Sequence, residues 1–150
     1  MLEMQRHVSV MGFCIFLLGV PICWQSKGQR SVTLSSSKAE YVALSEAAKE
    51  VKFVAQVMMS MGIPVKSPII VRVDNVGAIF MSKNVTTSPR TKHMDIRYHF
   101  VCEYVEDRFI EIIFVQTKEN RADIFMKNVS GPTYKYHSGE FIGTKELVGI

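Results

Sequence analysis

The chain lacks any paired-cysteine pattern. Its three cysteines, Cys14, Cys23 and Cys102, form an odd set with no C-x-x-C spacing, which excludes the paired ligands of common zinc sites. Cys14 and Cys23 lie in apolar runs, where a buried and reduced thiol is the ordinary state of a cysteine. The cysteines therefore favour a reducing compartment.

A long hydrophobic run is also missing. The apolar stretch from Met11 to Trp24, with Arg6 and His7 before it, loosely resembles a secretory signal peptide. However, Gly19 and Pro21 interrupt it, no small-x-small cleavage site follows, and it is too short to span a bilayer. We therefore predict a β-hairpin of the protein core here, and no membrane partner.

What is present is an ordinary globular composition. The 150 residues include 47% hydrophobic and 21% charged residues, which is typical of one folded domain rather than a disordered chain. The 18 Lys and Arg against 14 Asp and Glu give a net charge of +4. This mildly basic balance fits a nucleic-acid partner without requiring one.

Hydrophobic periodicity predicts both strands and helices. Ser35 to Ser37 is a helix-start signal, and the amphipathic helix after it ends at Gly62. Its apolar stripe consists of Leu44, Ala47, Val51, Val54, Met58 and Met61. The other predicted elements are strands at 12–18, 22–27, 69–73 and 109–115 and helices at 76–82, 92–106 and 120–127. Strands that come first and then alternate with helices indicate an α/β (α+β) fold, a mixed sheet covered by helices.

Three carboxylates stand at informative positions. Glu40 lies on the stripe of the long helix, Asp74 follows an apolar strand, and Asp123 lies near the start of the last helix. Each has a structural alternative as part of a helix cap, with Ser37 before Glu40 and Asn120 before Asp123. Together, three acids could instead hold Mg²⁺ ions that activate water at a phosphodiester. Spacing alone does not show that they converge.

Four separated sequence blocks carry a family resemblance. VTLSSSKAEY at 32–41 is similar to the ALSSTEAEY segment of copia-type LTR-retrotransposon polyproteins. VDNVGAI at 73–79, RTKHMDIRYHF at 90–100 and NRADIFMK at 120–127 follow in that family's order, and PICWQSK at 21–27 precedes them. Because the blocks agree in order across residues 6–129, the resemblance is specific. It points to the ribonuclease H domain that follows the reverse transcriptase.

The resemblance implies a ribonuclease H-like fold and an enzyme that cuts the RNA strand of RNA–DNA hybrids during reverse transcription. In that family an Asp, a Glu and two further Asp hold two Mg²⁺ ions. By resemblance, Glu40, Asp74 and Asp123 take three of these positions as metal ligands and catalytic residues. The implied partners are the hybrid and the reverse transcriptase domain of the same polyprotein. The implied location is intracellular, in a cytoplasmic virus-like particle or in the nucleus.

The third block contains a basic cluster of Arg90, Lys92, His93 and Arg97. A solvated helix face is the ordinary explanation of such a cluster. The alternative is that it contacts the phosphates of the hybrid, which would be a sequence-independent and salt-sensitive interaction. The spacing of His93 and His99 suits neither one helix face nor a zinc pattern, so we do not predict a metal pair there.

The chain departs from the family at its start. In the family, a central strand with the first metal-binding Asp precedes the segment that residues 6–12 resemble, and residues 1–5 are too few for it. We therefore expect a fold whose first, central strand is missing. Residues 1–9 would be a remnant of the preceding loop, 10–129 a partial ribonuclease H-like domain and 130–150 a loosely ordered tail. Two alternatives remain, namely a non-catalytic nucleic-acid-binding or interaction remnant, and a fragment with no function of its own.

We predict weak or no hydrolysis of an RNA–DNA hybrid by the isolated chain, because one of the expected metal ligands is absent. The measurement is cleavage of the hybrid by the purified chain in the presence of Mg²⁺. Robust cleavage that requires Mg²⁺ and is abolished by Asp74→Asn would contradict this prediction.

Overall fold

The computed structural model describes residues 10–28, 36–83, 99–125 and 130–141. The chain divides into two units, each of which has its own packing. The hairpin unit contains the described residues of 10–28 and 117–141, and the helix unit contains those of 36–116.

The hairpin unit is built on two antiparallel strands, β1 (Val10–Leu17) and β2 (Val20–Gly28). Leu18 and Gly19 form the turn with φ angles of 51° and 83°. This left-handed backbone at both positions matches the twist of a two-residue hairpin, and it favours glycine. The predicted hairpin is therefore confirmed. Among the described residues, no helix is both long and apolar enough to cross a membrane.

The hairpin unit also contains a helix, α4 (Gly131–Phe141). The sequence predicts a loosely ordered tail over 130–150, whereas the structure has a helix over Gly131–Phe141. Residues 142–150 lie outside the described part. Aromatic packing explains the helix. The Phe141 ring centroid lies 5.4 Å from that of Phe16 in β1 and 5.3 Å from that of Phe125. Such ring pairs stabilise an otherwise polar segment.

Two short 3-10 helices, Thr117–Glu119 and Arg121–Phe125, precede α4 in the chain. The Arg121 guanidinium lies 4.9 Å from the centre of the Phe16 ring, and the Ser26 hydroxyl donates a hydrogen bond to the Phe125 carbonyl. In place of the α-helix predicted over 120–127, the structure has a 3-10 helix over Arg121–Phe125. Residues 126–127 lie outside the described part.

The helix unit is organised around α1 (Ser36–Ser60). Its buried side chains recur at spacings of three and four, and they are Tyr41, Leu44, Ser45, Ala48, Val51 and Ala55. Leu44 and Val51 confirm part of the predicted stripe, whereas Met61 is 66% exposed. No residue of α1 after Ala55 is buried, so the end of the helix extends beyond the core.

The rest of the helix unit surrounds a parallel strand pair, β3 (Ile69–Val73) and β4 (Ile110–Phe114). Helix α2 (Val76–Lys83) follows β3, and helix α3 (Phe100–Glu106) precedes β4. Their shared core consists of Val73, Ala78, Val101, Cys102, Ile110 and Ile112. Of the helix predicted over 92–106, residues 92–98 lie outside the described part.

These elements confirm the expected α+β class, with helices flanking small sheets. Within the described residues there are two sheets of two strands, one antiparallel and one parallel. A mixed sheet of the ribonuclease H type that lacks its first, central strand stays a prediction.

We predict that the chain self-associates or has low stability. In the described part of the chain, the parallel sheet consists of β3 and β4 alone, and a sheet of two strands is marginal and can accept a strand from another molecule. The measurements are the concentration dependence of mass in sedimentation and unfolding in urea. A monomer that unfolds cooperatively, with strong hydrogen-exchange protection in Ile69–Val73, would contradict this prediction.

Candidate functional site

Glu40 lies early in α1, at the edge of its packed face. The helix begins at Ser36, so Ser37 is itself helical. A capping box needs a non-helical residue at the Ser37 position, so that alternative for Glu40 does not match this helix. Glu40 is half-buried and directly precedes Tyr41, the first buried residue of the α1 stripe. Glu40 therefore lies in the turn of α1 where the buried stripe of the helix unit begins.

Asp74 is the first residue after β3, and it is half-buried. The alternative that Asp74 caps α2 is wrong, because the Asn75 Oδ1 accepts a hydrogen bond from the Ala78 N–H at 2.9 Å. Among the described residues, no hydrogen bond or ion pair engages the Asp74 carboxylate. The carboxyl end of a parallel strand is where open α/β sheets usually place ligand-binding groups.

Helices α1 and α2 cross closely beside these two acids. A Cβ atom on Gly77 would lie 2.3 Å from the Ser37 Oγ and 2.8 Å from the Ser37 Cβ, so a larger residue does not fit without movement. Ser37 precedes Glu40 by three residues, and Gly77 follows Asp74 by three. Glu40 and Asp74 are therefore carried by neighbouring elements of one unit.

A buried polar contact joins the helices next to Glu40. The Tyr41 hydroxyl and the Cys102 Sγ are 3.7 Å apart, and the Cys102 thiol donates to the Met81 carbonyl at 3.5 Å. Burial, and then the hydrogen bond to Cys102, raise the pKa of Tyr41 above the usual range of a tyrosine. These contacts connect α1 with α3 and α3 with α2.

Asp123 belongs to the hairpin unit. It lies in the Arg121–Phe125 turn and is only 4% exposed. The predicted cap at Asn120 is confirmed, since its Oδ1 accepts a hydrogen bond from the Ala122 N–H at 3.1 Å. The Asp123 N–H donates to the Asn120 carbonyl at the same distance. The convergence of Asp123 with Glu40 and Asp74, which lie in the other unit, stays a prediction.

The basic cluster Arg90, Lys92, His93 and Arg97 lies outside the described residues. Within the described residues, no three His, Cys, Asp or Glu side chains form a group that could hold a metal ion. The roles of the basic residues and the two-metal site therefore stay predictions.

Sequence reasoning missed two residues that shape this region. Asn75 could have been recognised, because an asparagine three positions before Ala78 is an ordinary helix-cap signal. Gly77 gave no comparable signal, because its importance depends on a helix 40 residues earlier in the chain.

The sequence has relatives among the retrovirus-related Pol polyproteins of plant transposons. It is 36% identical over 148 residues to the polyprotein from transposon TNT 1-94 of Nicotiana tabacum. The aligned region covers 99% of this chain and 10% of that polyprotein. The polyproteins from transposons RE2 and RE1 of Arabidopsis thaliana are 30% and 31% identical over 132 and 129 residues. Those matches cover 88% and 86% of this chain and 9% of each polyprotein.

The chain is a homologue of transposon Pol polyproteins. It spans about a tenth of the length of the curated relatives it matches. Both the hairpin unit and the helix unit lie within the region of Pol similarity, since that region includes 148 of the 150 residues. No profile of a known protein family and no solved structure matches the chain.

We predict that Tyr41 makes the fold sensitive to alkaline pH. A pKa raised by folding contributes stability that is complete below the unfolded pKa of about 10 and is lost as the pH rises through the folded value. Urea unfolding should therefore show a steeper loss of stability above about pH 10 in the natural chain than in Tyr41→Phe.

The matched control for this experiment is Tyr136→Phe, because Tyr136 is 66% exposed. That variant should keep the alkaline sensitivity of the natural chain. If the free energy of unfolding depends on pH equally in Tyr41→Phe and in the natural chain, the buried Tyr41 hydroxyl does not contribute to the alkaline sensitivity.

Proposed function

We propose that the chain derives from the ribonuclease H domain of a transposon Pol polyprotein. Its acidic residues would serve Mg²⁺-dependent hydrolysis of the RNA strand of RNA–DNA hybrids. The observation that carries the proposal is the position of Asp74, which stands at the carboxyl end of a parallel strand while Asn75 caps the following helix. Glu40 supports it, because α1 and α2 are in contact close to both acids.

Mg²⁺ suits the donor chemistry of these residues. It prefers oxygen ligands and is commonly bound through one or two carboxylates, with waters and substrate phosphates completing its shell. Glu40 and Asp74 offer two carboxylates in the helix unit, and Asp123 is the proposed third ligand from the hairpin unit. When bound, such ions activate a water and stabilise the leaving oxygen of a phosphodiester. The protein's own part is to hold the carboxylates on the ends of packed elements.

The proposed substrate contacts come from the basic cluster Arg90, Lys92, His93 and Arg97. Phosphate contacts of this kind release counterions, so they weaken steeply as salt increases. The reverse transcriptase domain of the same polyprotein is the proposed protein partner. The proposed location is the cytoplasm, within a virus-like particle, or the nucleus.

A second candidate is a nucleic-acid-binding remnant without catalysis. The net charge of +4, which suits contacts with phosphates, favours it. Such a remnant would bind the hybrid through the basic cluster alone. Its binding would depend on salt but not on the acids.

Binding of Mn²⁺, a paramagnetic substitute for Mg²⁺, tests the proposal. We expect the purified chain to bind Mn²⁺, as measured by the loss of its free-ion signal in electron paramagnetic resonance. Asp74→Asn and Glu40→Gln should each weaken this binding by about tenfold or more, because removing a ligand costs at least as much as removing a residue that orients one. Asp107→Asn is the matched control, since Asp107 is an exposed acid at the end of α3 in the same unit.

Hybrid binding in the same variants separates the two candidate functions. Loss of Mn²⁺ binding in Asp74→Asn, but not in Asp107→Asn, supports the nuclease-derived site. Strong, salt-dependent hybrid binding in a chain that takes up no Mn²⁺, unchanged in Glu40→Gln, supports the binding remnant and contradicts the metal site. Absence of both activities contradicts both candidates.

A further inference from the structure

The crossing of α1 and α2 is closer than most side chains allow. A Cβ on Gly77 would meet the Ser37 Oγ at 2.3 Å and the Ser37 Cβ at 2.8 Å. The oxygen could rotate away, but the Cβ is fixed to the backbone of α1. An alanine at position 77 therefore requires the helices to move apart, since packed interiors have little free space.

The glycine is not needed for its backbone conformation. Gly77 lies in the first turn of α2 and, unlike Gly19 and Gly62, it does not have a positive φ. In a helix, glycine is less favourable than alanine by about 1 kcal/mol. Helix propensity alone would thus favour alanine at this position. What the glycine contributes is the absence of a side chain opposite Ser37.

This crossing lies beside the two acids of the helix unit. Ser37 is about one turn before Glu40, so both residues follow any movement of the start of α1. Asn75, which caps α2 through the Ala78 N–H, stands between Asp74 and Gly77. The backbone from Asp74 to Gly77 is therefore short and held at its cap, and a shift of α2 is transmitted to Asp74.

We propose that Gly77 is a positioning residue, whose missing side chain lets α2 contact Ser37 and thereby sets the separation of Glu40 and Asp74. The functional importance of that separation rests on the proposed metal site. The effect of Gly77 on the separation is independent of that site, and the separation can be measured without any metal or substrate.

The first experiment compares Gly77→Ala, Ser37→Gly and the double variant in the full 150-residue chain. We expect Gly77→Ala to lower the midpoint of thermal unfolding by about 3–10 °C, as overpacking does, although helix propensity alone predicts an increase. Ser37→Gly removes the two atoms that a Cβ would meet below 3.0 Å and leaves only the Asn75 Oδ1 at 3.2 Å, so the loss caused by Gly77→Ala should largely disappear in its presence.

Gly131→Ala is the matched control. Gly131 also lies in the first turn of a helix, α4, and a Cβ there would meet no atom within 4 Å. This substitution should keep or raise the unfolding midpoint, as propensity predicts. A rise of similar size for Gly77→Ala would overturn the proposal.

The second experiment measures the separation of the two acidic positions directly. In a chain with Glu40→Cys and Asp74→Cys, a short bifunctional maleimide should join residues 40 and 74, and the linked peptide can be quantified by mass spectrometry. We expect its yield to fall several-fold when Gly77→Ala is added, and to recover when Ser37→Gly is added as well. No link in the chain that retains Gly77, or a yield that Gly77→Ala does not change, would overturn the proposal.

Mn²⁺ binding then separates this inference from the proposed function. If Gly77→Ala weakens both the cross-link and Mn²⁺ binding, and Ser37→Gly restores both, positioning serves the metal site. If the cross-link responds in this way but the natural chain binds no Mn²⁺, Gly77 still sets the separation and the proposed metal site is contradicted. The two proposals thus fail independently.

Discussion

The helix unit depends on the burial of one face of α1. The buried side chains of that face include two polar ones, Tyr41 and Ser45, and each is hydrogen-bonded. The Ser45 hydroxyl donates to the Tyr41 carbonyl at 2.8 Å within the helix, so it needs no partner elsewhere. Further along, the Lys52 ammonium lies 4.2 Å from the centre of the Phe109 ring, which extends the contact of α1 to the start of β4. Without this face, a short parallel strand pair and two short helices would have too little apolar area to remain folded.

The hairpin unit is stabilised differently, by aromatic rings around β1. Phe16 is contacted by Phe141 from α4 and by the guanidinium of Arg121. The same surroundings affect Cys14, where burial and the nearby Cys23 raise the pKa of the thiol to about 11, against a smaller lowering by Arg121. A thiol with this pKa stays protonated at neutral pH and is a poor nucleophile. Cys14 and Cys23 are free thiols but only half-buried, so the burial expected from their apolar runs is partial.

The placement of the acids follows from these two packing arrangements. Asp74 stands where the parallel pair ends, and Glu40 stands where the packed face of α1 begins. Both positions combine a rigid element with partial exposure, which suits a carboxylate that is to bind a cation. Asp123 is held by a short capped turn instead, and it is buried.

The amino-acid sequence by itself determined the local elements and the family similarity of this chain. The hairpin, the helix after Ser36, the strand before Asp74 and the similarity to Pol polyproteins could all be read from it, because periodicity, turn residues and motif order act over short distances. Tertiary structure alone decided that Met61 stays exposed, that α4 packs against the rings of Phe16 and Phe125, and that residue 77 must be small. The packing of α4 and the size of residue 77 depend on atoms from distant parts of the chain arriving within a few ångströms, and the exposure of Met61 depends on none packing against it. No local pattern records whether such an approach occurs.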